Sequence, residues 1–514
     1  MTRPLFSALL TEPELRRFAQ ELAFALRTGD TIALHGDLGA GKTTLARACI
    51  LACVEGVDEI PSPTFTLVQA YSGSRFAISH FDLYRLSAPE EIYELGLDNA
   101  LATGVALIEW PERAGDLLPQ ERIDIGLEDS GDEATRRISV PATTPQLEAR
   151  LARLADIHAF LQSADAGAGD VAMAYLQGDA SPRRYARLTW PNGHRAILMD
   201  SPAQPDGPPV RDGLPYSRIA HLAEDVRAFV AVDAALRMRG LSAPEIYASD
   251  LQRGLLLIED LGDAVFGREI AMNRPQRDLW RRGVDVLVAL ASAPPAERLP
   301  LPDGTNYALP PMDQRALQIE AELLTDWYWP AFHGAPVPAA QRDKFIALWT
   351  PLFAHLRTVP QGWALRDYHS PNLIALDDRV PPRDVGIIDF QDALLGPTAY
   401  DLVSLLQDAR LDVPADIESD LLAHYIARVS DADRSFDAAA FRFAYAILGA
   451  QRNTKILGIF ARLAKRDGKR QYLAHMPRIW GYLERNLSHE ALRPLRAWYD
   501  EHFPLDMRRR ALAI

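Results

Sequence analysis

Along the first 145 residues, short apolar runs alternate with stretches of helical spacing. Thr31–Gly36 (TIALHG) is a β-like run ending in glycine, and Thr43–Val54 has the apolar spacing of a helix. Phe65–Tyr71, Phe76–Tyr84 and Val105–Trp110 read as further strands, Pro89–Gly96 as a short helix, and Ile123–Leu127 and Arg137–Val140 as two late strands. Such alternation predicts a mostly parallel sheet covered by helices. Pro145–Leu161 is helical by pattern and is expected to bridge two units. The small, flexible run Gln162–Asp170 (QSADAGAGD) suits an inter-domain joint.

Beyond residue 170 the rhythm restarts. Tyr185–Trp190, Arg195–Asp200 and Leu255–Leu261 are β-like, and an amphipathic helix over His221–Arg239, stopping at Gly240, interrupts them. From about 275 onward the pattern is helical, apart from an insert, Trp363–Asp392, that carries polar motifs. Strands first and helices later predicts a two-lobed α+β arrangement.

Composition narrows the function classes. Apolar residues make up 48% and charged residues 24%, which excludes a disordered or collagen-like chain. The formal charge of −14 argues against broad nucleic-acid binding, which needs a basic surface. The two cysteines, Cys49 and Cys53, lie four apart in one predicted helix and cannot form a disulfide framework, so a reducing, cytoplasmic setting is expected. No run of apolar residues is long enough for a membrane span, and the N-terminal MTRPLFSALLTEPELRR lacks a signal-peptide core.

The first chemical signal is Gly36-Asp37-Leu38-Gly39-Ala40-Gly41-Lys42-Thr43, which fits G-x-x-x-x-G-K-[ST] between a strand and a helix. Its glycines let backbone N–H groups turn toward anionic oxygens, and the helix start adds partial positive charge. Lys42 is expected to reach the β- and γ-phosphates of ATP, with Thr44 in the same cradle and the Thr43 hydroxyl on Mg²⁺. A second magnesium carboxylate belongs at the end of a neighbouring strand, where both Asp82 and Glu109 stand.

GDLGAGKTTL (36–45), SPTFTLVQAY (62–71), HFDLYR (80–85) and IEWPER (108–113) follow one another in a recognisable order. With these motifs, residues 5–145 or so resemble the TsaE-type ATPase of tRNA threonylcarbamoyladenosine biosynthesis. The resemblance implies a small ATPase supporting the complex that installs threonylcarbamoyl on an adenosine of tRNA. It would act through TsaB/TsaD-type protein partners and reach tRNA only through them. It also implies that Thr43 and Glu109 hold Mg²⁺, that Asp82 lies near the γ-phosphate, that Thr64 sits in a switch-like loop, and that Arg136 contacts nucleotide. Trp110 is implied as a functional surface residue, with a packed core tryptophan as the alternative.

The second signal is Leu365-Arg366-Asp367-Tyr368-His369-Ser370-Pro371-Asn372, followed seventeen residues later by Ile387-Ile388-Asp389-Phe390-Gln391-Asp392. Kinase-like phosphotransfer needs an Asp to position or deprotonate the acceptor hydroxyl, and an Asn and a second Asp to hold the metal ions on ATP. Asp367, Asn372 and Asp389 have those types in that order. Leu255–Asp263 (LLLIEDLGD) reads as the inter-lobe hinge, with Glu259 among the groups meeting adenine, and Gly178–Tyr185 (GDASPRRY) stands where a phosphate loop belongs.

Together with AILMDSP (196–202), DFQDALLGPTAYDLVSLLQD (389–408) and QRNTKILGIFARL (451–463), these blocks resemble the aminoglycoside phosphotransferase/choline kinase superfamily. Within it they are most similar to the anomeric kinases of N-acetylmuramate and N-acetylglucosamine (AmgK type). The implied reaction moves the γ-phosphate of ATP to the anomeric hydroxyl of an amino sugar, a step of cell-wall recycling.

Two departures stand out. Leu365 replaces the usual His before the catalytic Asp, and Met199 stands where a phosphate-binding Lys is expected. Glu224 on the following helix then lacks a lysine partner, and Arg183 or Arg184 is expected to supply the missing charge. The basic stretch Arg452, Lys455, Arg462, Lys465, Arg466, Lys469 reads as a solvated face or as a source of one partner for a sugar carboxylate. His369, Gln391 and Asp392 are candidates for reading sugar hydroxyls.

The expected whole is an α/β P-loop NTPase domain (1–148), a bridging helix and linker (149–170), and an α+β two-lobed protein-kinase-like (aminoglycoside phosphotransferase) domain (171–514), with lobes dividing near 262. Both sites are expected to use ATP and Mg²⁺. The alternatives are a C-terminal part that only senses sugar or nucleotide and regulates the ATPase, or one that is a kinase for choline or an aminoglycoside.

Overall fold

A computed structural model describes residues 4–54, 60–73, 75–132, 134–141, 144–164, 166, 171–176 and 183–512. The chain divides into two compact units: residues up to 202 together with 246–260, and residues 203–245 together with 261–514.

The first unit opens with β1 (Phe6–Thr11) and α1 (Glu12–Ala25). A capping box starts α1: the Glu14 carboxylate accepts the Thr11 N–H and hydroxyl, each at 2.8 Å. β2 (Thr31–His35), α2 (Lys42–Cys53), β3 (Val68–Ser72) and β4 (Ala77–Asp82) follow. Next come the short helices α3 (Glu91–Glu94) and α4 (Leu97–Thr103), then β5 (Gly104–Glu109), β6 (Ile123–Asp129) and β7 (Thr135–Val140). The strands form a seven-stranded sheet in the order β1-β7-β6-β2-β5-β4-β3. The central β6, β2, β5 and β4 run parallel, while β3, β7 and β1 pair antiparallel. The expected strand over Phe65–Tyr71 begins only at Val68, because Leu67 takes a positive φ of 64° and closes a turn onto the Pro63 carbonyl.

α5 (Pro145–Ser163) starts on Thr144, whose hydroxyl accepts the Leu147 N–H at 3.3 Å. Its first half buries Leu147, Leu151 and Leu154 in the core of the seven-stranded sheet. Its second half buries Ile157, Phe160 and Leu161 in another core, beneath a second sheet. That sheet contains β8 (Ala172–Leu176), β9 (Arg184–Thr189), β10 (Arg195–Asp200) and the strands Leu255–Glu259 and Ile246–Asp250, all antiparallel. Polar groups reinforce the joint. Asp200 is fully buried and accepts the Arg153 guanidinium of α5 at 2.5 Å as well as that of Arg184. Glu21 of α1 pairs with Arg17 at 3.0 Å and with His158 of α5 at 2.8 Å.

The second unit is mainly helical, and its longest element is the helix Ala438–Asp467. Asp437 caps that helix by accepting the Ala439 and Ala440 N–H groups, both at 2.9 Å. Two small antiparallel ladders, Gln361–Ala364 with Leu394–Pro397 and Leu373–Ala375 with Val385–Ile387, fix the ends of the segments that carry Asp367, Asn372 and Asp389. The amphipathic helix expected over His221–Arg239 covers only Arg227–Met238. His221 has a φ of 53°, so the chain turns there, and Glu224 precedes the helix instead of lying on it.

Candidate functional site

In the first unit, β2 ends at His35 and the Gly36–Gly41 loop leads into α2. Gly36 has a φ of 138°, and a Cβ there would lie 2.2 Å from the Leu127 carbonyl oxygen. Gly41 has a φ of 102° at the start of α2. Both glycines therefore meet a backbone requirement as well as the motif.

Lys42 is buried, and its ammonium donates to the Gly36 and Asp37 carbonyls at 2.5 and 2.8 Å. The Trp110 ring lies 3.6 Å from that ammonium to the ring centroid. Burial pushes the Lys42 ammonium below the ordinary lysine range, against the pull of Glu109 and other nearby carboxylates. Trp110 is half-buried with a positive φ of 58°, and its ring is tilted by 53° against that of Tyr84 with centroids 5.0 Å apart. It serves as one wall of the lysine's surroundings, between the two alternatives expected for it.

The Thr43 hydroxyl donates to Glu109 Oε2 at 2.9 Å, and His80, fully buried, shares a hydrogen with Glu109 Oε1 at 2.8 Å. Asp82 is buried one strand over and accepts the Thr64 hydroxyl at 2.9 Å, and Thr64 also meets Ser62 at 2.8 Å. The parallel strands thus bring Lys42, Thr43, Asp82 and Glu109 to one edge of the sheet, with Thr64 tied to it. Glu109, not Asp82, contacts Thr43. Arg136, the second residue of β7, pairs with Asp129 at the end of β6, and its guanidinium donates to the Thr135 carbonyl at 2.8 Å. Leu38 projects from the loop and is 80% exposed.

In the same unit Met199 is buried in β10 between Leu256 and Tyr185. Arg184 is committed to Asp200 and lies over the Phe24 ring, 4.8 Å from its centroid. That differs from the phosphate contact expected of it. Glu259 ends its strand opposite Ala196. Residues 178–182 of the expected phosphate loop fall outside the described residues.

In the second unit, Asn372 links the other two expected groups: its amide donates to the Asp367 carbonyl at 2.9 Å and to Asp389 Oδ2 at 3.3 Å. Gln391 donates to Asp389 Oδ1 at 2.9 Å. Arg366 and Asp389 hold positive φ values of 70° and 61°, a costly backbone state for side-chain-bearing residues. Three buried carboxylates hold the loop. Asp401 accepts the Leu365 and Arg366 N–H groups at 2.6 and 2.9 Å, and burial pushes its carboxyl up to about 7. Asp408 accepts the Ser370 N–H at 2.8 Å. Glu320 receives Arg366 and, at 2.7 Å, Lys455. The Arg366 guanidinium also donates to the Ala220 carbonyl at 2.9 Å. His369 is buried, and desolvation pulls its imidazole below the ordinary histidine range.

The basic stretch on the long helix therefore does several things. Lys455 is an internal ion-pair partner, Arg452 is buried, and Lys465 and Arg466 are exposed. Asp392 accepts the Ala223 N–H at 2.7 Å. Glu224 lies 3.7 Å from Arg218, so the partner it was expected to lack is an arginine.

Comparison with known proteins places each part of the chain in a family. A sequence model of the threonylcarbamoyl adenosine biosynthesis protein TsaE matches residues 9–138, and one of the phosphotransferase enzyme family matches residues 172–443. The chain is 38% identical over 356 residues to an N-acetylmuramate/N-acetylglucosamine kinase of Caulobacter vibrioides, covering 67% of this chain and 95% of that one. It is 39% identical over 180 residues to a tRNA threonylcarbamoyladenosine biosynthesis protein TsaE of Rickettsia conorii, covering 35% of this chain and 98% of that one. The chain belongs to the TsaE family in its N-terminal part and to the phosphotransferase enzyme family in its C-terminal part. It is an enzyme that joins the two.

Several residues of the phosphotransferase site went unassigned in the sequence. Asp401 lies in the helix Ala399–Leu406 and Asp408 just beyond its end, so helical spacing does not mark them as a pair. Glu320 gave no local signal, because its partners lie 46 and 135 residues away. In the TsaE part, His80 stood inside a quoted motif, but only the fold shows that it braces Glu109.

Proposed function

We propose that the chain carries out two ATP-dependent reactions. The N-terminal part hydrolyses ATP in support of the complex that installs threonylcarbamoyl on tRNA, working through TsaB/TsaD-type proteins. The C-terminal part phosphorylates the anomeric hydroxyl of N-acetylmuramate or N-acetylglucosamine. The observation that carries the second assignment is the hydrogen-bonded set Asp367, Asn372 and Asp389, together with the likeness to kinases of those sugars.

Both sites fit Mg²⁺. Thr43 and Glu109 place two oxygens 2.9 Å apart. Asn372 stands beside Asp389 with its amide nitrogen 3.3 Å from the carboxylate, so the Asn372 amide oxygen and the Asp389 carboxylate would be the groups to hold the ion. Among the described residues no group of three or more His, Cys, Asp or Glu gathers to hold a metal, so phosphate oxygens and water would complete each shell. The ion would neutralise charge on the transferring phosphoryl group. Asp367 aims the sugar hydroxyl and takes its proton as the oxygen attacks the γ-phosphorus and ADP leaves. Lys42 neutralises phosphate oxygens in the first site, with Asp82 near the γ-phosphate and Arg136 contacting nucleotide. Arg183 or Arg184 would supply the charge that Met199 cannot in the second.

No described helix is long and apolar enough to cross a membrane, and the reading places the protein in the cytoplasm. The buried Met199 favours one competing reading, a C-terminal part that binds sugar or nucleotide without transfer.

The full chain incubated with ATP, Mg²⁺ and a panel of sugars separates these readings by ³¹P NMR. A phosphorylated N-acetyl amino sugar supports the kinase, saturable binding without product supports the sensor, and choline or an aminoglycoside as acceptor overturns the sugar assignment. Stimulation of Lys42-dependent ATP hydrolysis by TsaB/TsaD-type proteins tests the N-terminal assignment.

A further inference from the structure

The buried cations of the second unit are matched by carboxylates, with one exception. Arg366 has Glu320, and Arg508 has Asp500 at 2.8 Å and Glu484 at 3.2 Å. Arg452, on the long helix, is 5% exposed, yet among the described residues no carboxylate lies within ion-pair distance. Its hydrogen bond is a 3.5 Å contact from Nη1 to the Gln407 carbonyl. The carboxylate on which its charge acts, Asp401, is occupied by the Leu365 and Arg366 N–H groups. A guanidinium taken out of water without a counter-ion is costly, and such a group is retained where an anion meets it.

Its surroundings say where that anion sits. Arg452 meets the segment 407–410, whose Asp408 carboxylate holds the Ser370 N–H of the catalytic loop and the Arg410 and Leu411 N–H groups at 2.7 and 3.2 Å. Arg410 extends from that segment toward Tyr472, and Arg478 donates to the Ala409 carbonyl at 3.2 Å. Arg478 faces the exposed Asp412 at 3.7 Å. Gln407, which Arg452 meets, directly precedes Asp408, and Asp408 is tied through the Ser370 N–H to the loop that carries Asp367, the residue that aims the acceptor hydroxyl.

Resting on the sugar-kinase reading above, we propose that Arg452 receives a carboxylate carried by the acceptor sugar. That carboxylate is the lactyl group which distinguishes N-acetylmuramate from N-acetylglucosamine, two ring carbons from the anomeric hydroxyl. Arg452 is thus a specificity-determining residue that favours the acidic sugar, and its bidentate fork suits a carboxylate better than a hydroxyl.

The test compares KM and kcat of the full chain for N-acetylmuramate, for its neutral lactyl amide and for N-acetylglucosamine. The wild type is expected to show a KM for the amide at least about tenfold above that for the acid. Arg452→Gln abolishes that difference, and Arg452→Lys restores part of it. Equal KM values for acid and amide in the wild type overturn the proposal, and that comparison stands even if the variants do not fold. A well-folded Arg452→Gln that keeps the acid-to-amide ratio, or lowers kcat equally for every sugar, also overturns it by marking Arg452 as structural. If neither sugar is phosphorylated by the wild type, the kinase reading itself fails and this inference falls with it.

Discussion

Replacing Glu320 with glutamine removes the one negative charge between Arg366 and Lys455. Glu320 is buried, and although burial by itself raises its carboxyl, Lys455 and Arg366 outweigh this and hold it at about 2, below the ordinary 4.5. A depression of that size corresponds to about 3 kcal/mol of stability. Because the folded value lies below the unfolded one, that contribution is complete above pH 4.5 and is lost as pH falls toward 2. Glu320→Gln should therefore cost about 3–5 kcal/mol at neutral pH, since it leaves the buried Arg366 and the half-buried Lys455 without their shared counter-charge.

Urea unfolding followed by tryptophan fluorescence reads this well, because seven of the nine tryptophans lie in the second unit. The variant should lose the acid-dependent part of its stability between pH 4.5 and 2. Arg366 directly precedes Asp367 at a positive φ of 70°, so loosening its guanidinium should also cost about 10²-fold in kcat for sugar phosphorylation. A loss below about 1 kcal/mol, or a pH profile parallel to the wild type's, would refute the reasoning.

Asp367→Asn should lower kcat for sugar phosphorylation by about 10²–10⁴ with a small change in ATP KM, measured by coupled ADP release. Lys42→Ala should reduce the N-terminal ATPase by at least about 10²-fold while sugar phosphorylation continues, and loss of both activities would show that the sites depend on each other. Asp200→Ala frees Arg153 and Arg184, which are only partly buried, and should cost about 2 kcal/mol, read as a lower Tm of the full chain. Chelation of divalent ions should stop both activities, and added Mg²⁺ should restore them.

The sheet and helix pattern of the first unit was legible because apolar runs and the Gly36–Thr43 motif are local signals. α1 was passed over although Thr11 and Glu14 form a capping signature, and β8 was hidden by its short, half-buried sequence. The Thr43–Glu109 contact could be narrowed from sequence but was settled by strand order, which places β5 beside β2. The pairing of Arg184 with Asp200 is not legible in the sequence, because residues sixteen apart give no sign of facing each other across a β-hairpin. The ion pairs around Arg366 depend on contacts between distant helices, which periodicity does not encode.

α5 lends its two halves to two separate cores, so one rod of chain is shared property. Cutting the polypeptide after this helix would wet the face of the second sheet that Ile157, Phe160 and Leu161 now cover, and cutting before it would strip Leu147, Leu151 and Leu154 from the first. Neither half can be excised cleanly. A cell making this protein accordingly holds the two family parts at a fixed one-to-one ratio, synthesised, degraded and inherited together.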